Sequence, residues 1–147
     1  MTINEAIKEI QGKPAGITER ATVNYAQDQL SEKEKVFAAA PANIRSHHGN
    51  YPGIIVFTDQ RLFAASGIPG IRRTISLPLK GLRECGDLKS PLSYTVSLAT
   101  STDRFSAMLS PQAGKNFAPY FSALKKALTG GFSQSSQQLS KQLSEKR

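Results

Sequence analysis

GIIVFTDQRLFAASGIPGIRRTISLPLKGLREC, residues 53–85 of the chain, consists of three apolar runs separated by two tight turns. The turns are Thr-Asp-Gln at residues 58–60 and Gly-Ile-Pro-Gly at residues 67–70, and apolar side chains alternate in the run that follows. Short apolar runs joined by tight turns are typical of neighbouring antiparallel strands. We therefore predict a three-stranded meander here, a scaffold element that by itself supplies no obvious chemistry.

Two further strands are predicted after the meander, and they show the strictest alternation in the chain. In the first, four apolar residues are expected to face the core while the hydroxyl side chains between them face water: Leu92, Tyr94, Val96 and Leu98. After a turn at residues 100–103, three residues of the next strand share one face: Phe105, Ala107 and Leu109. The two strands are predicted to form a hairpin.

The segment ahead of the strands is predicted to form two helices. The first is indicated by four apolar residues at helical spacing: Ile3, Ala6, Ile7 and Ile10. A Lys-Pro-Ala-Gly sequence ends this helix, and Thr18 is placed to cap a second helix that ends near Leu30. The first strand is then expected at residues 35–40, interrupted or bent at Pro41.

The last predicted element is an amphipathic helix with one apolar stripe: Phe117, Phe121, Leu124 and Leu128. We expect the helix to begin near Asn116 as its N-cap, because Pro119 is best tolerated in the first turn. Gly130 and Gly131 are expected to end it. The Ser-, Gln- and Lys-rich residues beyond them are predicted to be disordered.

This order of elements predicts a mainly β fold with helices (α+β). A partly open barrel of about seven antiparallel strands, capped by the C-terminal helix and preceded by the N-terminal helices, accounts for all of them. A barrel of this kind needs one amphipathic helix to close one of its ends. The predicted helix stripe is wide enough to do so.

The segment IIVFTDQRL, residues 54–62, resembles the bacterial pleckstrin-homology-like (PH-like) families, including the YokE-like group. In those families an apolar strand, a Thr-Asp/Asn-x-Arg turn and a second apolar strand follow one another. Residues 75–79 are similar to the next family strand, and the helix stripe is similar to the family's capping helix. The resemblance implies a PH-like barrel.

The resemblance covers roughly residues 33–130 and divides the chain into three parts. Residues 1–34 are expected to form an N-terminal helical extension. Residues 35–130 correspond to the PH-like domain, and residues 131–147 to a polar tail.

Positive charge is concentrated in the second half of the chain. The net charge is +8, yet residues 1–60 contain six Lys/Arg against seven Asp/Glu, whereas residues 61–147 contain thirteen against four. Such asymmetry indicates either an anionic partner, such as membrane headgroups or nucleic acid, or an ordinary solubilising surface. Both interpretations stay open at the level of the sequence.

Five cationic side chains are the candidate ligand-binding residues: Arg45, Arg72, Arg73, Lys80 and Arg83. By strand alternation, Arg72 is expected on the solvent face, and Arg73 on the face of Ile75 near the rim of the barrel. Eukaryotic relatives that bind phosphoinositides carry a basic pattern across their first two strands. This chain does not reproduce that spacing, which argues against an inositol-lipid site.

Catalytic residues, metal ligands and cofactors are not predicted. The Thr-Asp-Gln-Arg sequence at residues 58–61 is typical of a tight turn stabilised by its own side chains. His47 and His48 are two adjacent histidines, and a zinc site needs further ligands at workable spacing. Cys85 is expected to be a partly buried thiol near a strand end. A phosphate-binding glycine loop is also missing from the sequence.

Two functions remain open. The first is a non-catalytic binding module of the bacterial PH-like type, which recognises a protein or peptide, or forms a homo-oligomer, through an exposed sheet edge or the open barrel end. The second is an electrostatic anion-binding module for a membrane surface or nucleic acid. The hypothesis of nucleic-acid binding loses support because the aromatic side chains needed for base stacking are assigned to the core.

A cytoplasmic location is expected for either function. The chain has one cysteine, Cys85, which suits a reducing compartment. Its N-terminus lacks the continuous apolar segment of a secretory signal, and its apolar runs are shorter than the ~20 residues of a membrane-spanning helix.

Overall fold

The structure, a computed structural model, describes residues 1–47, 49–68 and 70–129. Within these ranges the chain forms three α-helices and seven β-strands. They are α1 (Ile3–Gln11), α2 (Arg20–Gln29), β1 (Val36–Ser46), β2 (Gly49–Thr58), β3 (Arg61–Ile68), β4 (Ile71–Pro78), β5 (Glu84–Lys89), β6 (Tyr94–Ala99), β7 (Arg104–Leu109) and α3 (Pro111–Thr129). Short 3₁₀ turns lie before α2 (Ile17–Glu19) and between β4 and β5 (Leu79–Gly81).

All of these strands belong to one antiparallel sheet, in the order β4-β3-β2-β1-β7-β6-β5. The long strand β1 pairs with β2 along most of its length, but with β7 only through residues 43–45. Because this short ladder alone joins the two halves, the sheet can bend there into a partly open barrel that ends at β4 and β5. The predicted α+β class, the meander (β2 to β4) and the hairpin (β6 and β7) are confirmed.

The main core lies on the face of the sheet that α3 covers, called the inner face below. The aromatic side chains fully buried in it are Phe57, Tyr94, Phe117 and Phe121. Truncating a buried aromatic side chain of this size to alanine typically costs about 3–5 kcal/mol of stability. The apolar stripe predicted on the last helix therefore packs into this core, as its spacing indicated.

A second core lies on the opposite, outer face of β1, β2 and β3. There, Val56, Phe63 and Ala65 of the sheet pack against Ile3 and Ile7 of α1, in a cluster that also contains α2 residues. The outer face of this half of the sheet is thus covered by helices. The N-terminal helices share a core with the strands.

The first helix agrees with its prediction, whereas the second begins later. Thr2 caps α1 by accepting a hydrogen bond from the amide of Glu5 (3.1 Å), and Gly12 ends the helix in the left-handed conformation (φ 82°). The expectation that Thr18 caps α2 is wrong. A 3₁₀ turn occupies Ile17–Glu19, so that the α-helix begins only at Arg20.

Strand β1 is longer than predicted. It continues through Pro41, which lies opposite Ile54 of β2, and reaches Ser46. Residues 49–52, which precede the predicted meander, form the start of β2. The sequence did not reveal this because the paired segment is rich in Gly, Pro and Asn, residues that usually indicate turns.

Leu92 is the wrongly predicted core residue. Its side chain is 87% exposed, because the hairpin between β5 and β6 turns at Ser90 and Ser93 and β6 begins only at Tyr94. The amide of Ser93 donates to Oγ of Ser90 (3.1 Å), and the Ser90 amide donates to the Ser93 carbonyl (2.9 Å). The alternation of apolar residues thus begins in the sequence two residues before the start of β6, within the turn.

Helix α3 begins five residues before the predicted start, at Pro111. Ser110 caps it by accepting a hydrogen bond from the amide of Ala113 (3.2 Å), and proline suits the first helical position. Pro119 consequently lies inside the helix, where the buried stripe offsets the lost backbone bond. Asn116 donates its side-chain amide to the carbonyl of Ile10 (2.7 Å). The predicted stop at Gly130–Gly131 and the predicted tail lie outside the described residues.

Gly67→Ala in β3 is expected to destabilise the fold by roughly 1–3 kcal/mol. A Cβ at this position would lie 2.5 Å from the Ala21 carbonyl oxygen and 2.7 Å from Cβ of Tyr25, so α2 would have to move away from the sheet. Urea unfolding would measure the loss. Gly86→Ala in β5 is the matched control, because nothing lies within 4 Å of its added Cβ. Equal stability of the two variants would contradict this close packing.

Candidate binding site at the edge strand β5

The Thr-Asp-Gln-Arg turn between β2 and β3 is a structural centre. Oγ1 of Thr58 accepts the amides of Gln60 and Arg61, both at 3.1 Å, and donates to Glu34 (2.6 Å). The guanidinium of Arg61 also binds Glu34, with Nε 2.8 Å from Oε2, and reaches Oγ of Ser76 on β4 (3.1 Å). The turn was expected to be structural and stabilised by its own side chains. The structure shows Glu34 as the ion-pair partner.

Glu34 is charged although its side chain is only 1% exposed. Burial opposes its charge, but the hydrogen bonds from Arg61 and Thr58 outweigh burial and hold the pKa of this carboxyl below its usual value. The ion pair thus connects the segment that follows α2 to the β2–β3 turn.

Asp87 of β5 joins this strand to the core and to α3. Its Oδ2 accepts a hydrogen bond from the hydroxyl of Tyr94 (2.8 Å), and its Oδ1 is 2.6 Å from Nζ of Lys125. Burial opposes the Asp87 charge, but the bonds from Lys125 and Tyr94 lower the pKa of the carboxyl below its ordinary value. Burial and Asp87 raise the pKa of Tyr94, so its proton stays in place.

Cys85 precedes this cluster by two positions and is half-buried, as expected for a thiol near a strand end. Burial raises the pKa of the thiol to about 12, and the nearby Lys125 only partly offsets that effect. The reactive thiolate is therefore scarce at neutral pH. The cluster of Cys85, Asp87, Tyr94 and Lys125 holds β5 against α3 and lacks an activated nucleophile.

Strand β5 is itself strongly exposed. It stands at one end of the sheet order, and five of its six residues are exposed to solvent. Leu88 is 70% exposed on the outer face, where it lies beside Thr95 of β6, which in turn lies beside Met108 of β7. Gly86 is on the same face, and the space above it is open. The helices cover the outer face of β1 to β3, whereas the outer face of β5 to β7 carries exposed apolar side chains.

A cavity of about 430 Å³ adjoins the far end of β5. It lies between the β5–β6 hairpin and the start of α3, and its lining includes Lys89, Lys115, Ser90 and Ser93. Carboxylates are absent from the described residues that line it. The two serine hydroxyls hydrogen-bond to each other within the turn (3.2 Å), and the cavity offers two ammonium groups, which are donors suited to an anionic group.

The predicted cationic residues are distributed over both faces of the sheet. Arg45 faces outward and lines a second cavity, of about 340 Å³, with His47 and Arg104. Arg73 shares the inner face with Ile75, and its charge opposes the rise that burial causes in the pKa of Tyr51. Arg45 and Arg73 are therefore separated by the sheet.

The other three candidates occupy further positions. Arg72 lies on the outer face of β4 opposite Gly67, which α2 contacts. Lys80 is in the 3₁₀ turn after β4, and Arg83 begins the ladder to β6 by donating its amide to the Ala99 carbonyl (2.8 Å). Lys115 was missed by sequence reasoning, because only the packing of α3 against the β5–β6 hairpin brings it near Lys89.

A metal site is not formed by the part of the chain that the structure describes, since no three His, Cys, Asp or Glu side chains come together there. His48 lies outside that part. None of the described helices is both long and apolar enough to cross a membrane.

The fold has a known counterpart. The chain is similar to the Vps36 N-terminal PH domain, with a TM-score of 0.51 and 16% sequence identity over 82% of this chain and 87% of that chain. The fold is pleckstrin-homology-like. A duf1696 family protein with a pleckstrin-homology domain from Shewanella loihica also aligns, with a TM-score of 0.39 and 15% identity over 65% of this chain and 84% of that chain. No protein-family model and no curated protein matches the chain.

At this level of identity the likeness shows the PH-like fold alone, and specificity must be argued from the chain's own residues. The described features of this PH-like fold, an exposed edge strand and two open cavities with basic side chains, suit binding.

Glu34→Gln is expected to destabilise the PH-like fold by roughly 3 kcal/mol at pH 7, because it leaves the partly buried Arg61 without its ion pair. The folded pKa of Glu34 is lowered, so the ion pair contributes fully above the usual value of 4.5 and its contribution is lost as pH falls through the folded pKa. Urea unfolding from pH 7 down to pH 3 should therefore show the difference between wild type and variant shrinking. A difference that is constant with pH would contradict the assignment.

Proposed function

We propose that the chain is a non-catalytic, cytoplasmic binding module of the bacterial PH-like type, which recognises a protein or peptide by pairing it with the outer edge of β5. The observation that carries the proposal is the position of β5. It ends the sheet, it is exposed at five of six residues, and one of them is Leu88.

An edge strand presents backbone amides and carbonyls to solvent, and an extended segment can pair with them. Natural proteins usually protect such edges with charges or proline. The opposite edge strand, β4, has both kinds of protection, because it carries Arg72 and Arg73 near its start and ends at Pro78. Strand β5 also carries charges, but its two carboxylates, Glu84 and Asp87, are paired with Arg104 and Lys125. It contains no proline, and it has an exposed leucine and a glycine at its centre. Of the two edges, β5 is the better template.

The absence of an activated nucleophile at Cys85 favours binding over catalysis. A single cysteine suits a reducing compartment. These observations support a non-catalytic, cytoplasmic module.

Leu88→Lys is expected to abolish recognition while leaving the fold intact, because the side chain is 70% exposed and lysine is a typical protector of edge strands. A display selection of random peptides on the wild type should enrich segments with β-forming residues. Their retention on the Leu88→Lys variant should fall by about tenfold or more.

Met108→Lys is the matched control, since Met108 is also exposed on the outer face but lies two strands from the edge. Equal retention on wild type and Leu88→Lys, or a selection without any enriched peptide, would contradict the proposal. Light scattering on the same samples would show whether a second copy of the chain occupies the edge.

A second candidate function is electrostatic binding to an anionic surface, a membrane or a nucleic acid. Its specific support is the cavity of about 340 Å³ at Arg45, His47 and Arg104. Glu84 partly offsets this charge, because its Oε2 lies 3.9 Å from the Arg104 guanidinium, and both side chains are largely exposed. The edge strand therefore remains the better-supported site.

Arg45→Ala is expected to weaken binding to anionic liposomes or single-stranded oligonucleotides about threefold to tenfold if this second function exists. A salt series would test it, because counterion release makes such binding fall steeply as salt increases. Lys8→Ala is the control, because Lys8 is exposed on α1 and lies outside the cavity. Absence of binding by the wild type at low salt would exclude the electrostatic function.

A further inference from the structure

We infer that β5 selects an extended acidic segment that runs antiparallel to the strand. In this segment an acidic residue, an apolar residue, a residue of any type and a bulky residue follow one another. This inference rests on the proposed function and names the chemistry of its partner. It follows from three features of β5 and its surroundings: an apolar side chain, an open space above a glycine and a basic cavity.

The apolar and open features lie on the outer face. Leu88 and Gly86 are two positions apart on one strand, so their side chains point to the same side of the sheet. Leu88 is 70% exposed, whereas nothing lies within 4 Å of a Cβ added at Gly86. A paired strand would place one residue beside Leu88 and one over Gly86. An apolar residue fits the first position, and a large side chain, which shields an edge glycine, fits the second.

The basic cavity determines the charge of the partner. Lys89, the last residue of β5, lines the cavity of about 430 Å³ together with Lys115 of α3. The two carboxylates of β5 already have cationic partners: Asp87 binds Lys125 at 2.6 Å, and Glu84 lies 3.9 Å from Arg104. The surroundings of the strand are therefore positive on balance, and an acidic residue beside Lys89 is complementary to them. The same charge disfavours a second copy of this chain, whose net charge is +8.

The order of the residues follows from strand geometry. Lys89 and Gly86 are three residues apart, which places them on opposite faces about 10 Å from each other along the strand. In an antiparallel partner, the residue beside Lys89 comes first. The residues beside Leu88 and Asp87 follow, and the residue over Gly86 is the fourth. The acidic and bulky residues of the partner must therefore point to opposite faces.

The test uses synthetic peptides and the full chain. The peptide GSEVTFTG carries the inferred order, whereas GSETVTFG has the same composition but places Glu, Val and Phe on one face. Titration of each peptide, followed through the amide signals of residues 84–89, should give an affinity about tenfold higher for the first. Replacing Glu by Lys in the first peptide should weaken binding by a similar factor, and added salt should reduce this difference.

Variants of the chain test each contact separately. Lys89→Ala and Lys115→Ala should each weaken binding of GSEVTFTG about threefold to tenfold, whereas Lys8→Ala, at an exposed lysine of α1 outside this cavity, should leave it unchanged. Gly86→Val fills the open space. This variant should therefore bind GSEVTFTG more weakly than the wild type does, and should prefer GSEVTGTG, in which glycine replaces the bulky residue.

The outcomes separate this inference from the function on which it rests. Equal binding of the two isomeric peptides would overturn the order but leave strand pairing in place. Peptides enriched in the display selection that lack the acidic residue would likewise overturn the inferred residue order and leave strand pairing in place. If neither peptide binds and the selection is empty, the proposed function fails as well. Amide signals of residues 84–89 that shift with protein concentration alone would assign the edge to a second copy, and overturn the inference.

Discussion

The ion pair between Glu34 and Arg61 is the interaction on which the rest of the structure depends. Glu34 is almost fully buried, and a buried carboxylate without a partner would cost several kcal/mol, so the pair forms only when the chain before β1 meets the β2–β3 turn. Arg61 also donates to the carbonyl of Gln29, the last residue of α2 (2.7 Å). The same polar cluster thus joins the end of α2 to the β2–β3 turn.

This arrangement determines which surfaces remain for a partner. The N-terminal helices cover the outer face of β1 to β3, and α3 covers the inner face. The outer face of β5 to β7 and the edge of β5 carry the exposed apolar residues Leu88 and Met108. Such residues tolerate exposure singly, but here Leu88 and Met108 lie in one row across the sheet with Thr95 between them, and this row reaches the edge.

Local patterns were sufficient to predict the strands of the meander, the β6–β7 hairpin, the first helix and the buried stripe of α3. Each of them depends on a period of two or 3.6 residues that a single segment contains. The errors have a different origin. Leu92 continued an alternating pattern into a turn, and Pro119 shifted the predicted start of α3, although Ser110 and Pro111 form the better helix start.

The sites depend on contacts between residues far apart in the sequence, which the spacing of apolar residues within one segment does not reveal. The partner of Arg61 lies 27 residues earlier, and the amide of Asn116 reaches a carbonyl 106 residues away. Likewise, Lys115 meets the cavity beside Lys89 only because Gly114 lets α3 approach Tyr94 so closely that a Cβ at position 114 would overlap its side chain. Several basic residues could be nominated from the sequence, but their distribution over the two faces required the fold.

The bonds from Asp87 to Tyr94 and Lys125 have one more consequence, which concerns entropy. They hold the middle of β5 to the core and to α3, and Asn116 in turn holds α3 to α1. The edge strand is thereby ordered before anything binds to it. A partner that pairs with β5 would bear nearly all of the ordering cost itself, and a partner already constrained to an extended shape would lose the least.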